Sequence, residues 1–124
     1  MSEWTRKELI TLLNQGGNAN LASNNFTELN LSGLDMERAN LRNADLSRAN
    51  LSDTNLYAAN LRGAILDGAN LEGCSLKSAS LVDASFANAS LYAVKLQGAL
   101  FNSRTIWPSD FDPVAHGAIL MSDW

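Results

Sequence analysis

Residues 39–71 read ANLRN ADLSR ANLSD TNLYA ANLRG AILDG ANL, and this stretch decides the fold. A leucine falls on every fifth position. Followed outward in both directions, the beat holds from Phe26 through Leu31, Met36 and Leu41 to Leu91, Leu96 and Phe101, sixteen large apolar residues in succession. We call each of these the centre of its repeat. Two positions before the centre the residue is small, as at Ala39, Ala59, Ala69, Ala84 and Cys74. One position before it stands Asn, Asp or Ser in thirteen of the sixteen repeats, with Ile65, Lys95 and Leu100 the departures. Five residues turn an α-helix by about 500°, so the leucines would form no stripe. In a flat strand an odd spacing sends successive leucines to opposite faces. Each repeat must therefore bend. The centre and the small residue share one inward face, and the two residues after the centre turn a corner. Stacking such turns gives a solenoid in which each turn buries its neighbours.

Runs such as Ala39-Asn40-Leu41-Arg42-Asn43 and Ala69-Asn70-Leu71-Glu72-Gly73 resemble the pentapeptide-repeat proteins, with their A(D/N)LXX motif. The resemblance covers roughly residues 18–106. It implies an all-β fold, a right-handed quadrilateral parallel β-helix with four pentads per coil, hence about four coils rising roughly 20 Å. The tail also resembles tails on cyanobacterial members, in phrasing rather than motif.

Residues 1–17 break the repeat. Thr5-Arg6-Lys7-Glu8 reads as a capping box, Trp4 and Leu9 occupy hydrophobic-staple positions, and Gly16-Gly17 ends the helix. This segment is expected to lid the first coil's apolar end, with a partner-binding or membrane-surface helix as the alternative; its mixed charge argues against membranes. The first coil is irregular, with Asn24, Leu29 and Leu34 where the small residue belongs. Residues 107–124 form the expected C-terminal cap. Pro108 and Pro113 forbid a continued ladder, Asp112-Pro113 starts a short helix ending at Gly117, and Trp107, Phe111, Ile119 and Leu120 supply a plug.

At the corners, the second residue after the centre is Gly at 33, 63, 68, 73 and 98, but at others it is Arg38, Arg48, Ala58 or Ala93. A left-handed backbone there strains a side chain by roughly 1 kcal/mol. A mixture of turns is therefore expected, with type I turns common and especially so at these four corners.

Length suits one domain, no signal-peptide or membrane-spanning pattern is present, and a single cysteine permits no internal disulfide; a cytoplasmic setting is expected. No metal-ligand cluster, phosphate loop, nucleophile elbow or dinucleotide fingerprint stands out, so no cofactor and no catalysis are expected. Cys74 reads as a small core group and His116 lies in the tail.

Residues twenty apart should stack, so surface columns can be read directly. They single out Arg42 and Arg62, then Tyr57 with Lys77, and Glu72 with Tyr92, as candidates for surface contact. The arginine pair suits a small anion or a carboxylate, or is a solvated face. The leading function is a non-catalytic protein-interaction module with an unnamed partner; an enzyme accessory or assembly factor differs only in having a defined one. The resemblance also implies an alternative, because some members are acidic dimeric rods that imitate duplex DNA and act on DNA gyrase. Residues 18–106 carry eight acids against seven bases, and the net charge of −4 lies mostly in the tail, which weighs against mimicry. Direct nucleic-acid binding lacks a basic patch with interleaved aromatics. Covered ends suggest a monomer, with Trp107, Phe111 and Trp124 offering a C-terminal dimer instead.

Overall fold

The computed structural model describes residues 3–122; Asp123 and Trp124, and with them that tryptophan's place in a dimer, lie outside the described residues. Parallel backbone bridges join residues twenty apart, as Asn20 to Asn40 and Asn40 to Asn60. They run in four ladders, one per face: through Asn20, Asn25, Asn30 and Asp35. The centres from Phe26 through Phe86 to Leu96 point inward, and Leu41, Leu46, Leu51, Leu56, Leu61 and Leu66 have no exposed surface. The small residues fill the space between them, among them Ala44, Ala64 and Ala79. Thr54, which takes the small position, satisfies its buried hydroxyl on the Leu31 carbonyl at 2.8 Å.

The outward Asn residues fold back on the chain. Asn30, Asn50, Asn55 and Asn70 each accept, at 3.0 Å, the N–H two residues ahead. Along the stack, Asn40 donates to Asn20 and Asn55 to Asp35, both at 3.2 Å. These bonds hold the chain as it enters each corner.

The corners overturn the turn expectation. Every fifth residue from 23 to 98 has positive φ, including Arg38 at 61°, Arg48 at 57°, Ala58 at 56° and Ala93 at 58°. The turns close in the type II manner, as Ala39 N–H on the Met36 carbonyl at 3.0 Å. The reason lies between coils. At one corner the N–H of Arg38 meets the Tyr57 carbonyl at 2.8 Å, Ala58 meets Lys77 at 2.9 Å, Ser78 meets Gln97 at 3.0 Å and Gly98 meets Gly117 at 2.9 Å. A type I turn would reverse one peptide in that column and strand a donor and an acceptor, each costing about 1–3 kcal/mol if buried. That exceeds roughly 1 kcal/mol of backbone strain. Ala58→Gly, which removes no side-chain contact beyond a methyl, is therefore expected to stabilise the fold by up to about 1 kcal/mol in urea titrations. Gly63→Ala should lose at least as much, since its new methyl would collide with the Asn43 carboxamide oxygen.

At the amino end, α1 (Arg6–Leu13) has the expected capping box: Glu8 N–H on the Thr5 hydroxyl at 3.1 Å and Thr5 N–H on the Glu8 carboxylate at 2.8 Å. Leu9 is fully buried in the core, and Trp4 lies against Phe26 with ring centroids 5.6 Å apart. Arg6 donates to the carbonyls of Asn30 at 3.0 Å and Ser32 at 2.9 Å, acceptors that a preceding coil would otherwise occupy. Glu3 N–H takes the Asn25 carbonyl at 3.3 Å. The open edge of the first coil is thus partly closed by side chains and a strand-like entry segment.

Near residue 102 the repeat gains one residue: Ser85 pairs with Ile106, twenty-one positions on. Asn102 absorbs the insertion. Its side-chain oxygen accepts the Asp83 N–H at 3.1 Å, a bond that a backbone carbonyl accepts at regular corners, and its amide donates to the Asp83 carboxylate at 2.8 Å. Thr105 then restores the register, its hydroxyl on the Leu81 carbonyl at 2.9 Å.

The tail departs from expectation at two points. Pro113, not Asp112, takes the cap position of the short 3-10 helix Val114–His116; Asp112 stands just ahead and accepts Val114 N–H at 3.1 Å, and Gly117 ends the helix at φ 93°. The prolines interrupt the ladder without ending it: β1 (Leu100–Phe101) pairs in parallel with β2 (Ile119–Leu120). Ile119 and Leu120 are consequently exposed, at 51% and 59%, and do not plug the core. Trp107 takes that role, stacked on Phe86 at 5.0 Å.

Candidate functional site

Each corner of the coil carries the two side chains that follow a centre, so the candidate residues sort by corner. Arg42 and Arg62 occupy successive rungs of one corner, followed by Val82 and Asn102. Both arginines are exposed, and neither makes an ion pair among the described residues. Tyr57 and Lys77 occupy the neighbouring corner. Tyr57 is half-buried against the Arg38 guanidinium, which lies 5.5 Å from its ring centroid. Glu72 and Tyr92 stand on the corner diagonal to the arginines. Glu72 accepts the Ser90 hydroxyl at 3.1 Å, and Tyr92 is 78% exposed. The six residues thus form three separate groups and converge on no single point.

The corner ion pairs are exposed: Arg48 to Glu28 at 3.3 Å, Arg38 to Glu37 at 3.7 Å and Arg104 to Asp83 at 2.7 Å. Such pairs contribute little to stability. Asp83 is held below the usual carboxylate range, first by hydrogen bonds from Asn102 and Arg104 and then by the charges of Arg104 and Arg62. This contribution is present above the ordinary aspartate range and is lost as pH falls through the lowered value.

Cys74 is fully buried in the core. Burial pushes its thiol up to about 12, Lys95 opposing and Asp53 adding to the effect. A thiol so held is a poor nucleophile. It should resist aromatic disulfide reagents at pH 8 in the folded protein and react fully in denaturant. Between about pH 9 and 12 the unfolded thiol ionises while the folded one keeps its proton, so stability should fall across that window.

Hollows lie at the two ends. One sits between the end of α1 and residues 34–39, lined by Leu13, Asn18, Asp35 and Arg38. The other is an open hollow of about 460 Å³ beside Tyr92, Pro108, Asp110, Phe111 and His116. In the second, the Phe111 and His116 rings stack at 4.6 Å. Among the described residues no group of three or more His, Cys, Asp or Glu is placed to hold a metal ion, and no helix is long and apolar enough to cross a membrane.

Pentapeptide repeats, in eight copies, match residues 17–43, 35–73 and 64–102. The chain belongs to the pentapeptide-repeat family. It is similar to alr5209, a pentapeptide repeat protein from Nostoc PCC 7120, with 30% identity over 94% of this chain and 96% of that one and a TM-score of 0.79. Rfr23 from the cyanobacterium Cyanothece 51142 is 35% identical over 71% of this chain and 63% of that one, with a TM-score of 0.42. A pentapeptide repeat protein of the Arabidopsis thaliana thylakoid lumen is 23% identical over 78% and 73%, with a TM-score of 0.49. No curated protein matches the chain. The family's repeat β-helix agrees with the ladders described above.

Surface arithmetic in steps of twenty finds the arginine corner but misses what flanks it. Leu100 and Ile119 stand on the face before that corner, and Ile65 and Ile106 on the face after it. Ile65 and Ile106 are forty-one positions apart, and Leu100 and Ile119 nineteen, so the irregular last turn hides both pairings.

Proposed function

We propose that this pentapeptide-repeat chain is a non-catalytic protein-interaction module: a right-handed rod of about four coils over residues 18–106, with residues 1–17 and 107–124 as end caps. The single observation that supports this most is the division of labour between inside and outside. The interior is closed by leucine and alanine, while the groups able to do chemistry are dispersed over separate corners at fixed spacing. A surface of that kind recognises partners by the side chains it displays. The setting is cytoplasmic, the partner a protein, and the chain a monomer without cofactor. Among the described residues no strand pairs with the outer edge of β2, and a C-terminal dimer would form there instead; light scattering separates the two states.

Affinity capture from a native lysate tests the module reading, with a rod whose surface charges are swapped as control. Recovery of one protein by the native rod alone supports it. A near-neutral rod leaves little basis for DNA mimicry, so a gyrase supercoiling assay should show no inhibition at stoichiometric protein. Clear inhibition would reverse the ranking of the two readings.

A further inference from the structure

We propose that the corner bearing Arg42 and Arg62, with the apolar side chains on its two flanking faces, docks an acidic amphipathic helix of a partner protein. The inference rests on the interaction-module reading and names the partner's chemistry.

The repeat places a polar residue at the outward position of nearly every face, and the departures are not scattered. There are two apolar ones, Ile65 and Leu100, and they fall on the two faces that meet at the arginine corner. The irregular last turn adds Ile106 to one face and Ile119 to the other. Ile65, Ile106 and Ile119 are 42%, 53% and 51% exposed. Val82 continues the corner column above the arginines, half-exposed. Ser85, its hydroxyl on the Asp67 carboxylate, stands between Ile65 and Ile106, so separate apolar side chains border a charged ridge.

The charge on that ridge is opposite to that of the chain. The protein carries −4 overall, yet along this corner Arg42, Arg62 and Arg104 face one carboxylate, Asp83. Asp83 is already held by Arg104 at 2.7 Å and Asn102 at 2.8 Å, and Asp45 is the acid on the flanking faces. Arg42 and Arg62 sit one rung apart, about 4.8 Å along the axis. A carboxylate set between them relieves their repulsion and gains two charge-assisted bonds. Ile65 and Ile106 are two rungs apart, about 10 Å, close to two turns of helix. A helix lying along the rod thus meets both the ridge and the two isoleucines. Two arginines are too few to track a phosphate backbone, and the apolar flank suits a protein segment.

The test uses the full chain and fluorescein-labelled synthetic peptides of about five helical turns. One is an amphipathic Leu/Glu helix, one its Leu/Lys counterpart, and one a Leu/Glu scramble without an apolar face. Anisotropy should show the first binding at least about tenfold tighter than the other two. The double variant Arg42→Glu with Arg62→Glu should lose at least about tenfold, and Ile65→Asn, which installs the repeat's own residue, several-fold. Lys95→Glu, on a face that does not flank this corner, should change affinity less than about twofold. Circular dichroism and melting confirm that each variant is folded. Equal binding of the Lys peptide, no binding of the Leu/Glu helix at about 1 mM, or indifference to the corner variants overturns the proposal. Arginine-dependent binding to duplex DNA or anionic vesicles, without peptide binding, overturns it in favour of those surfaces. If the peptides fail while the native rod and the arginine variant capture the same lysate protein, the docking surface falls and the module reading stands.

Discussion

Leu61→Ala is expected to destabilise the fold by about 3 kcal/mol or more, read as a lower urea midpoint. Leu61 has no exposed surface and is stacked between the centres Leu41 and Leu81 of the adjoining coils. The loss of its isobutyl group removes both transfer free energy and packing contacts, and the cavity term depends on how far the surroundings relax. Here they relax little. Leu61 N–H is bonded to Ser80 above at 2.9 Å, and Asn60 N–H to Ala39 below at 2.9 Å, so neither neighbouring coil can sink into the gap without breaking its ladder. Leu120→Ala is the contrast. Leu120 stands in the same column, over Phe101, but is 59% exposed, and its truncation should cost no more than about 0.5 kcal/mol. Equal effects at the two positions would mean that the column is not packed as a stack. A loss below about 1 kcal/mol at Leu61 would mean that the coils collapse more freely than their hydrogen bonds permit.

The features legible in the sequence are those governed by local rules. The five-residue beat places each centre inward because one corner follows every three-residue face. Thr5 with Glu8, and Asp112 and Gly117 each with Val114, mark helix ends through contacts two or three residues apart. What escapes is what depends on the neighbouring coil. The backbone at Arg38 and Ala58 is left-handed because a column of stacked peptides requires it, and no window of five residues contains that column. The tail's return to the ladder depends on the chain between Phe101 and Ile119 bridging over the end, which the prolines alone do not reveal. The candidate site divides in the same way. Arg42 and Arg62 are twenty apart and visible at once, whereas Ile106 joins Ile65 only after Asn102 takes up an extra residue. Tyr57 stands in an outward column, yet Arg38 from the coil below covers part of its ring.

Trp107→Ala should cost about 3 kcal/mol and loosen the tail as a unit. Trp107 is the hub of an aromatic column that runs from the core to the surface. It stacks on buried Phe86 at 5.0 Å and 5°, meets Phe101 edge-on at 5.6 Å, and carries Phe111 at 5.3 Å. Truncation uncovers Phe86 and takes away the support of Phe111, on which His116 rests in turn. Faster proteolysis between residues 108 and 117 should accompany the fall in stability. Trp107→Phe separates the ring from its polar atom. The indole N–H is buried and has no acceptor among the described residues, so the phenyl ring keeps the stack and removes an unsatisfied donor. Its cost should stay within about 1 kcal/mol, the lost volume offset by that relief. If the phenylalanine variant lost as much as the alanine variant, the indole N–H would have to be bonded in solution. If neither lost stability, Phe86 would have to be covered by the backbone of residues 108–111 alone.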